Sequence, residues 1–372
     1  MTIQPAPSQA QRDQTDSDAH VNLLLSTNAM FLQHAAVCLT SVLANTPDLF
    51  FDVVVVSQPE ENLDEARFRR SVERFPNHSI RFEKFSIPKE AVPAINPLTH
   101  YTLETYTRLW IENFFPPVTE RVLYLDVDLV AVGSIAPLWS IDLGGALLGA
   151  ANIPGAAVKL KSFSIPADEG YFSAGVLIID LQQWRTTSAQ QEVFDYISAN
   201  PDRVFNDVDQ DLLNAVFHHR TKRIGYEWNA IRPFFDEPTQ LPLSQHELDE
   251  VRRDAIIIHF NGNLKPWSYF CDHPRRDEYT KYLRMTEWRD FVPPDRTPLN
   301  MVRKRVSRIL PPEVKNVLKA GLARLSGLRH CRHQCRQRRR RHRRRRRRRG
   351  GDLGAVAGAR SGESRAGFTR RR

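Results

Sequence analysis

The sequence predicts an α/β fold in which helices flank a central sheet, and three features near the start of the chain support this. Residues 21–26 and 51–57 are continuous apolar runs, which are typical of strands buried on both faces of a parallel sheet. Residues 31–43, which lie between them, carry apolar side chains at helical spacing on one face. A helix that joins two such strands indicates a parallel pair.

The rest of the domain is predicted from similar patterns. A charged helix at 62–75 and a strand at 80–85 complete a strand–helix–strand–helix–strand order that is typical of nucleotide-binding α/β proteins. The further predicted elements are strands at 121–125, 146–150, 176–180 and 255–260, helices at 101–113, 189–199 and 209–217, and a loop with a short polar helix at 232–250. Residues 152–170 lack a regular pattern, and an irregular segment of this length within a compact domain is often functional.

Two aspartates stand at the end of the strand predicted at 121–125. Asp126 and Asp128 are two residues apart, so along an extended chain their side chains point the same way. Two carboxylates held that close repel each other unless a cation lies between them. Their oxygen ligands suit a hard cation such as Mn²⁺ or Mg²⁺ that also binds a diphosphate. A polar turn is the other interpretation of an isolated pair of this kind.

A second motif lies at the end of the last predicted strand. His259 is placed where its imidazole would reach the carboxyl edge of the sheet, and two aspartates with one histidine form a reasonable ligand set for Mn²⁺. Gly262 permits close approach of the backbone to a bound group, and Lys265 provides a point charge suited to phosphate. A hydrogen-bonded surface histidine is the alternative, and the neighbouring glycine, lysine and Pro266-Trp267 pair favour the ligand.

Three further positions have a functional and a structural interpretation. The small residues at 170–175 precede a predicted buried strand, and they either allow a ligand to approach or form a tight turn. Asp209 begins a predicted helix as its N-cap, or it holds sugar hydroxyls together with the amide of Gln210. Arg108, on the helix predicted at 101–113, either reaches a phosphate or has a structural or solvated role.

The charge of the chain is divided unevenly. The whole chain of 372 residues has a net charge of +10. Residues 331–372 contain 18 Arg and two acidic residues, and residues 301–330 contain eight Lys or Arg and one Glu, so the first 300 residues carry −13. An acidic domain does not favour nucleic acid, and the arginine run at 343–349 has no interleaved aromatic residues. We therefore expect no nucleic-acid partner.

These patterns predict four parts in the chain. Residues 1–20 are a disordered N-terminus, 21–298 the α/β domain, 299–330 a basic amphipathic segment and 331–372 a disordered Arg-rich tail. The first 20 residues lack the apolar region of a secretory signal peptide, and the chain has no apolar run of about 18 residues that would form a transmembrane helix. Both features predict a cytoplasmic protein. The basic amphipathic pattern favours peripheral attachment to the inner face of the membrane, while a terminal helix packed on the domain would show the same pattern.

The motifs, in their order, resemble family 8 of the retaining glycosyltransferases, and in particular the bacterial lipopolysaccharide galactosyl- and glucosyltransferases. LYLDVDLVAVGSIAPLW and HFNGNLKPW carry the resemblance most specifically. LSTNAMFLQHAAVCLTSVL, HYTLETYTRL, GYFSAGVLIIDLQQW and DVDQDLLN add to it, so that it spans residues 21–290. The resemblance implies a GT-A fold, which is a Rossmann-like nucleotide-diphospho-sugar transferase fold with a mixed central sheet. It also implies a UDP-hexose donor, a Mn²⁺ or Mg²⁺ cofactor and retention at the anomeric carbon.

Carried over to this sequence, the resemblance implies roles for individual residues. Asp126, Asp128 and His259 would bind the metal, while Asp209 and Gln210 would be the catalytic residues beside the donor sugar. The implied donor contacts are Asn28, Arg108, Asp126, Val127, Asp128, Ser173, Ala174, Gly262 and Lys265, and the implied acceptor contacts are His100 and Thr105.

The function implied by the resemblance is transfer of galactose or glucose from a UDP-sugar to a saccharide or lipid-linked glycan acceptor, in the synthesis of lipopolysaccharide or another cell-surface polysaccharide. Two positions depart from the family pattern. Asn28 stands where an acidic residue would hold the nucleoside, and Ser173 stands where an Asn would contact the sugar. The alternatives are a hexosyltransferase similar to glycogenin or galactinol synthase, and a catalytically inactive protein that binds nucleotide sugars.

Overall fold

The computed structural model describes residues 20–95 and 101–309. The predictions made for residues 1–19, His100, residues 310–330 and the Arg-rich tail therefore lie outside the described residues. The described part of the chain divides after Arg296 into two units. Within it, no helix has both the length and the apolar character needed to cross a bilayer.

Among the described residues of the first unit, ten strands form two sheets. In chain order they are β1 (His20–Ser26), β2 (Phe50–Ser57), β3 (His78–Lys84), β4 (Arg121–Leu125), β5 (Leu129–Ala131), β6 (Leu148–Ala151), β7 (Val176–Asp180), β8 (Thr221–Ile224), β9 (Ala230–Ile231) and β10 (Ile257–His259). Seven of them form the central sheet, in the order β3-β2-β1-β4-β7-β6-β8. β7 is antiparallel to both of its neighbours, and the other neighbouring strands are parallel. The mixed central sheet implied by the resemblance is confirmed.

A second, three-stranded sheet has the order β5-β10-β9. β10 pairs antiparallel with β5 and parallel with β9. Of these strands the sequence predicted only β10, as part of a longer run at 255–260. β5 and β9 are three and two residues long, which is too short to show an alternating pattern.

The helices agree with the sequence in part. They are α1 (Leu32–Asn45), α2 (Glu65–Val72), α3 (Ala136–Trp139), α4 (Ala157–Phe163), α5 (Leu181–Thr186), α6 (Ala189–Ala199), α7 (Val208–Phe217), α8 (Gln245–Asp254), α9 (Arg276–Leu283) and α10 (Pro298–Ile309). The helix predicted at 101–113 is instead a 3₁₀ segment, Leu103–Phe114, with a break at Trp110. The irregular stretch at 152–170 contains α4, and the polar helix expected within 232–250 is α8, which starts at a Ser244–Glu247 capping box and is longer than expected.

The core lies on both faces of the central sheet. Leu23 and Leu25 of β1 pack in a cluster with α1, whereas Leu24 packs in another with the 3₁₀ segment. All three side chains have no exposed surface. Alternate residues of β1 thus face two apolar layers, which is why this strand reads as a continuous apolar run.

Candidate active site

Three possible metal ligands meet where β4 ends and β5 begins. The register of the second sheet pairs His259 with Leu129, which places the histidine beside the preceding residue, Asp128. His259 Nε2 lies 3.2 Å from Asp128 Oδ1 and 3.8 Å from Asp126 Oδ2. One ligand atom from each of the three side chains lies within 4.8 Å of the others, which makes this group a possible metal site.

Asn229 determines which nitrogen of His259 faces the carboxylates. Its Oδ1 lies 2.9 Å from His259 Nδ1, and the asparagine is 2% exposed. An amide oxygen only accepts, so Nδ1 carries a proton and donates it to Asn229, and Nε2 is the nitrogen that faces the two aspartates and would bind a metal. Histidines that bind metals are commonly oriented in this way. Two carboxylates and an oriented imidazole fit Mn²⁺ or Mg²⁺.

Gly175 allows this close approach. It directly precedes β7, and its carbonyl accepts a hydrogen bond of 2.8 Å from the backbone N–H of Asp126. A Cβ at this position would lie 2.3 Å from His259 Cε1 and 3.0 Å from Asp126 Oδ2. Any side chain at this position would displace the histidine, so only glycine fits here.

Lys265 lies against the second aspartate. Its ammonium group contacts Asp128 Oδ2. Burial would raise the pKa of the Asp128 carboxyl, but Lys265 and His259 together hold that pKa well below its usual range. The loop that carries the lysine is fixed by Trp267, whose ring stacks on that of His34 at 3.4 Å.

Arg108 lies at the centre of the cleft and its side chain is 3% exposed. Its guanidinium donates to Asp126 Oδ1 at 2.8 Å, contacts the carbonyl of Ala174 and lies 2.9 Å from Asp209 Oδ2. It also lies over the ring of Tyr124 at 3.9 Å. Burial alone would lower the pKa of the Arg108 guanidinium. The nearby Asp209, Tyr124 and Asp126 raise that pKa by more than burial lowers it, so the group stays charged. These contacts support the structural interpretation of Arg108, and its contact with a phosphate stays a prediction.

Asp209 lies inside α7, and the N-cap position is occupied by Asp207. The N-cap interpretation of Asp209 is therefore wrong. Burial raises the pKa of Asp209 to about 7, and the guanidinium of Arg108 limits that rise.

The turn before β7 is attached to α7 by two amide side chains. Asn214 accepts a hydrogen bond from the backbone N–H of Phe172 and donates one to its carbonyl, both at 2.8 Å. Gln210 Oε1 accepts from the backbone N–H of Ala174 at 3.0 Å. The small residues at 170–175 thus form a turn that is also part of the cleft.

Two adjoining cavities make up the cleft. The larger has a volume of about 270 Å³ and the smaller about 110 Å³. Both are lined by Thr105, Arg108, Asp126, Asp128 and Lys265. The other predicted site residues line one cavity each: Ser173, Ala174, Asp209, Gln210, His259 and Gly262 the larger, and Asn28 and Val127 the smaller. The structure therefore brings together the predicted site residues that it describes.

Several residues of the cleft were not predicted. Tyr101 and Asn261 line it, and each lies next to a residue that was assigned, so their position in the motifs was a usable signal. Asn229 lies in none of the motifs, and 30 residues separate it from His259. Only the folded chain shows that it belongs to the site.

Comparison with known proteins identifies the family. Residues 22–271 match the model of glycosyl transferase family 8. The chain belongs to this family. General stress protein A of Bacillus subtilis (strain 168) is 30% identical over 229 residues, which cover 57% of this chain and 80% of that protein. Lipopolysaccharide 1,2-glucosyltransferase of Escherichia coli (strain K12) is 22% identical over 293 residues, which cover 78% of this chain and 85% of that protein.

The fold of this family 8 protein is similar to that of a solved galactosyltransferase. The structure of LgtC in complex with donor and acceptor sugar analogues aligns with a TM-score of 0.60 and 22% identity. The alignment covers 73% of this chain and 99% of LgtC. The GT-A fold implied by the sequence is confirmed by this similarity.

We expect Asp128→Asn to weaken Mn²⁺ binding by more than about 100-fold, because loss of an outer-shell partner alone costs about 10–100-fold. The variant keeps the shape of the side chain but removes its charge. Calorimetric titration of the purified protein with Mn²⁺ measures the change. The control is Asp195→Asn on the exposed side of α6, and equal Mn²⁺ affinity in the two variants would contradict the assignment.

Asn229→Ala should weaken Mn²⁺ binding by about 10–100-fold although all three ligands remain, because His259 loses the acceptor that orients its ring. Asn229→Asp keeps an acceptor at the same place and should bind Mn²⁺ more tightly than Asn229→Ala. The same titration compares them. If Asn229→Ala binds Mn²⁺ like the unaltered protein, the orienting role is wrong.

Proposed function

We propose that this family 8 protein is a retaining hexosyltransferase that moves galactose or glucose from a UDP-hexose to a glycan acceptor, with Mn²⁺ or Mg²⁺ as cofactor. The observation that carries the proposal is the convergence of Asp126, Asp128 and His259 within 4.8 Å in the wall of the cleft. Lys265 lines the same cleft. Two carboxylates, an imidazole and a lysine have the chemistry to hold a divalent cation together with a diphosphate.

The two cavities support an orientation for the donor. Asn28, Phe31 and Val127 line the smaller cavity, which would hold the nucleoside. Ser173 and Gln210 line the larger cavity, which would hold the hexose. The two aspartates and Lys265 line both, as groups that bind the diphosphate between nucleoside and sugar should.

The nucleoside end has a polar group suited to uracil. Asn28 Oδ1 accepts a hydrogen bond of 3.1 Å from the backbone N–H of Phe31, and this contact fixes the side chain. Its Nδ2 group would donate to a carbonyl of the base. Glu61 holds the adjacent backbone, since its Oε2 accepts from the N–H of Ala29 at 2.8 Å.

The chemistry at the diphosphate is electrostatic. A divalent cation held by Asp126, Asp128 and His259 would take up the negative charge that develops as UDP leaves. Lys265 would add a second positive charge on the same phosphates, and Gly262, at φ +95°, would let the backbone approach them. These charges act in a partly buried site, where they are screened less than in water.

The burial and ion pairing of the nearby carboxylates favour a same-face route to retention. In this route the acceptor attacks the anomeric carbon from the side on which UDP leaves. Asp209 is paired with Arg108 at 2.9 Å, and Asp211 is paired with Lys159 at 2.7 Å. The two aspartates are 2% and 1% exposed. A nucleophile must reach the anomeric carbon, and buried carboxylates held by cations are poorly suited to that. In the same-face route the leaving phosphate accepts the proton of the acceptor hydroxyl, and no separate base is required.

The acceptor would enter beside the hexose. Thr105, Tyr101 and Asn261 line the larger cavity and would contact a hydroxyl-bearing acceptor, while His100 lies outside the described residues. The relative from Escherichia coli is named a lipopolysaccharide glucosyltransferase. A growing cell-surface glycan, as a saccharide or linked to lipid, is therefore the acceptor class that we propose.

A donor panel tests this proposal. The purified full chain is incubated with Mn²⁺, a panel of UDP- and GDP-hexoses and an oligosaccharide acceptor, with nucleotide release as readout. We expect release from UDP-galactose or UDP-glucose and its loss in EDTA. The anomeric coupling in the NMR spectrum of the product should show an α linkage. No release from any UDP-hexose, or a β product, would refute the proposal.

We also propose that residues 299–330 attach the enzyme to anionic membrane. In the described part of this segment, α10 exposes Leu299, Met301, Val302 and Val306, and Arg303, Lys304 and Arg305 lie among them. An apolar face with basic neighbours suits the headgroup region, and each basic residue adds about 1 kcal/mol near an anionic surface.

Liposome flotation tests the attachment. The full chain should float with anionic vesicles at low salt and be released by high salt, because salt screens the charges. A chain that ends at Asn300 should remain in the soluble fraction. Equal flotation of the two chains would assign the segment another role.

A further inference from the structure

Both ends of the Gln210 carboxamide are held by the protein. Its Oε1 accepts from the backbone N–H of Ala174 at 3.0 Å, and its Nε2 donates to the hydroxyl of Tyr171 at 3.4 Å. The amide has two N–H groups, so one remains to contact a ligand in the larger cavity, which Gln210 lines.

Tyr171 connects Gln210 to a buried ion pair. Its ring is 2% exposed, and its hydroxyl donates to Asp211 Oδ1 at 2.6 Å. Lys159 contacts the two oxygens of Asp211 at 2.7 and 3.0 Å, and the backbone N–H of Asp207 donates to Asp211 Oδ2 at 2.9 Å. A continuous polar chain therefore runs from Lys159 through Asp211 and Tyr171 to Gln210.

Lys159, at the start of this series of polar contacts, belongs to a different helix from Gln210. It lies on α4, which has no buried residue. Two contacts join α4 to the start of α7 and the residues just before it. One is the ion pairing of Lys159, and the other is the stacking of Phe163 on Phe205 with ring centroids 6.2 Å apart. The ion pairs of Lys159 with Asp207 and Asp211 thus link an exposed helix to the start of the helix that carries Gln210.

We propose that Tyr171, Asp211 and Lys159 are positioning residues that fix the carboxamide of Gln210 toward the donor sugar. The inference rests on the proposed function, in which Gln210 faces the reaction centre. A glutamine side chain has three rotatable bonds, and holding it in one orientation before the reaction removes an entropic cost from the transition state. Tyr171 sets the amide, Asp211 sets the hydroxyl of Tyr171, and Lys159 neutralises the charge that Asp211 brings into the interior.

The central variant is Tyr171→Phe, which removes one hydroxyl and keeps the buried ring. We expect kcat for hexose transfer to fall about tenfold, with KM for the donor changed less than about twofold, because the lost contact orients Gln210 and does not bind the nucleotide. Lys159→Met should also lower kcat, and Lys159→Arg should recover part of the loss. The matched control is Tyr282→Phe, which removes the hydroxyl of another buried tyrosine, one that accepts from Asn45 away from the cleft.

A double variant separates positioning from a structural role. If Tyr171 acts through Gln210, Tyr171→Phe should cause no further loss in a Gln210→Ala background. The same tenfold loss in both backgrounds would overturn the proposal, and so would full activity of Tyr171→Phe alone.

A measurement without turnover keeps this test independent of the proposed function. The side-chain NH₂ signals of Gln210, assigned by their absence in Gln210→Ala, are followed by NMR in the full chain. They should shift and broaden in Tyr171→Phe and stay unchanged in Tyr282→Phe. Unchanged signals in Tyr171→Phe would overturn the positioning network even in an active transferase. If the unaltered protein transfers no hexose but the signals shift, the network stands and the proposed function fails.

Discussion

The rest of the cleft depends on the contacts made by the buried guanidinium of Arg108. It comes from the 3₁₀ segment and contacts Asp126 after β4, the carbonyl of Ala174 before β7 and Asp209 in α7. A charge at this depth is costly, by about several kcal/mol, unless its partners are well placed. Four segments that are distant in sequence therefore have to meet in one arrangement to satisfy it. That arrangement is also the one that assembles the cleft.

Charge pairing continues outward from Arg108. Asp128 is paired with Lys265, and Asp211 with Lys159. The aspartates that line the cleft, Asp126, Asp128, Asp207 and Asp209, each form an ion pair with a basic side chain, and these pairs differ in accessibility. Arg108 is 3% exposed and Lys159 is 24% exposed. The innermost pair is suited to fixing geometry, and the outer groups are suited to meeting a ligand.

Sheet geometry explains why the ligand set is compact. Leu125 pairs with Val176, so Gly175 lies opposite Asp126, and His259 pairs with Leu129 from the other sheet. The histidine therefore enters a space that the absence of a side chain at Gly175 leaves open. Two sheets that meet at the Asp126–Asp128 turn bring carboxylates and imidazole together without a long loop. His259 is held by strand register, and the two aspartates lie in the short turn between β4 and β5, so the ligands are held more rigidly than in a long loop.

The sequence by itself determined which strands of the central sheet are buried on both faces. It also determined the placement of Asp126, Asp128 and His259 at strand ends. These features depend on local apolar patterns and on the alternation of side chains along a strand, so 121–125 and 176–180 were predicted with the bounds that the structure has. The sequence also indicated Lys265 as a charge suited to phosphate and Gln210 as an amide suited to sugar hydroxyls, and the family motifs led to the same two assignments.

Only the tertiary structure decided that Arg108 is buried between two aspartates, that Asn229 orients His259 and that β5 and β9 join β10 in a second sheet. It also decided that 103–114 is a 3₁₀ segment, although its apolar spacing fits an α-helix. The physical reason is that these outcomes depend on partners far apart in the chain, 131 residues in the case of Asp128 and His259. Strands of two or three residues, and side chains whose role is set by a distant partner, leave no local pattern to read.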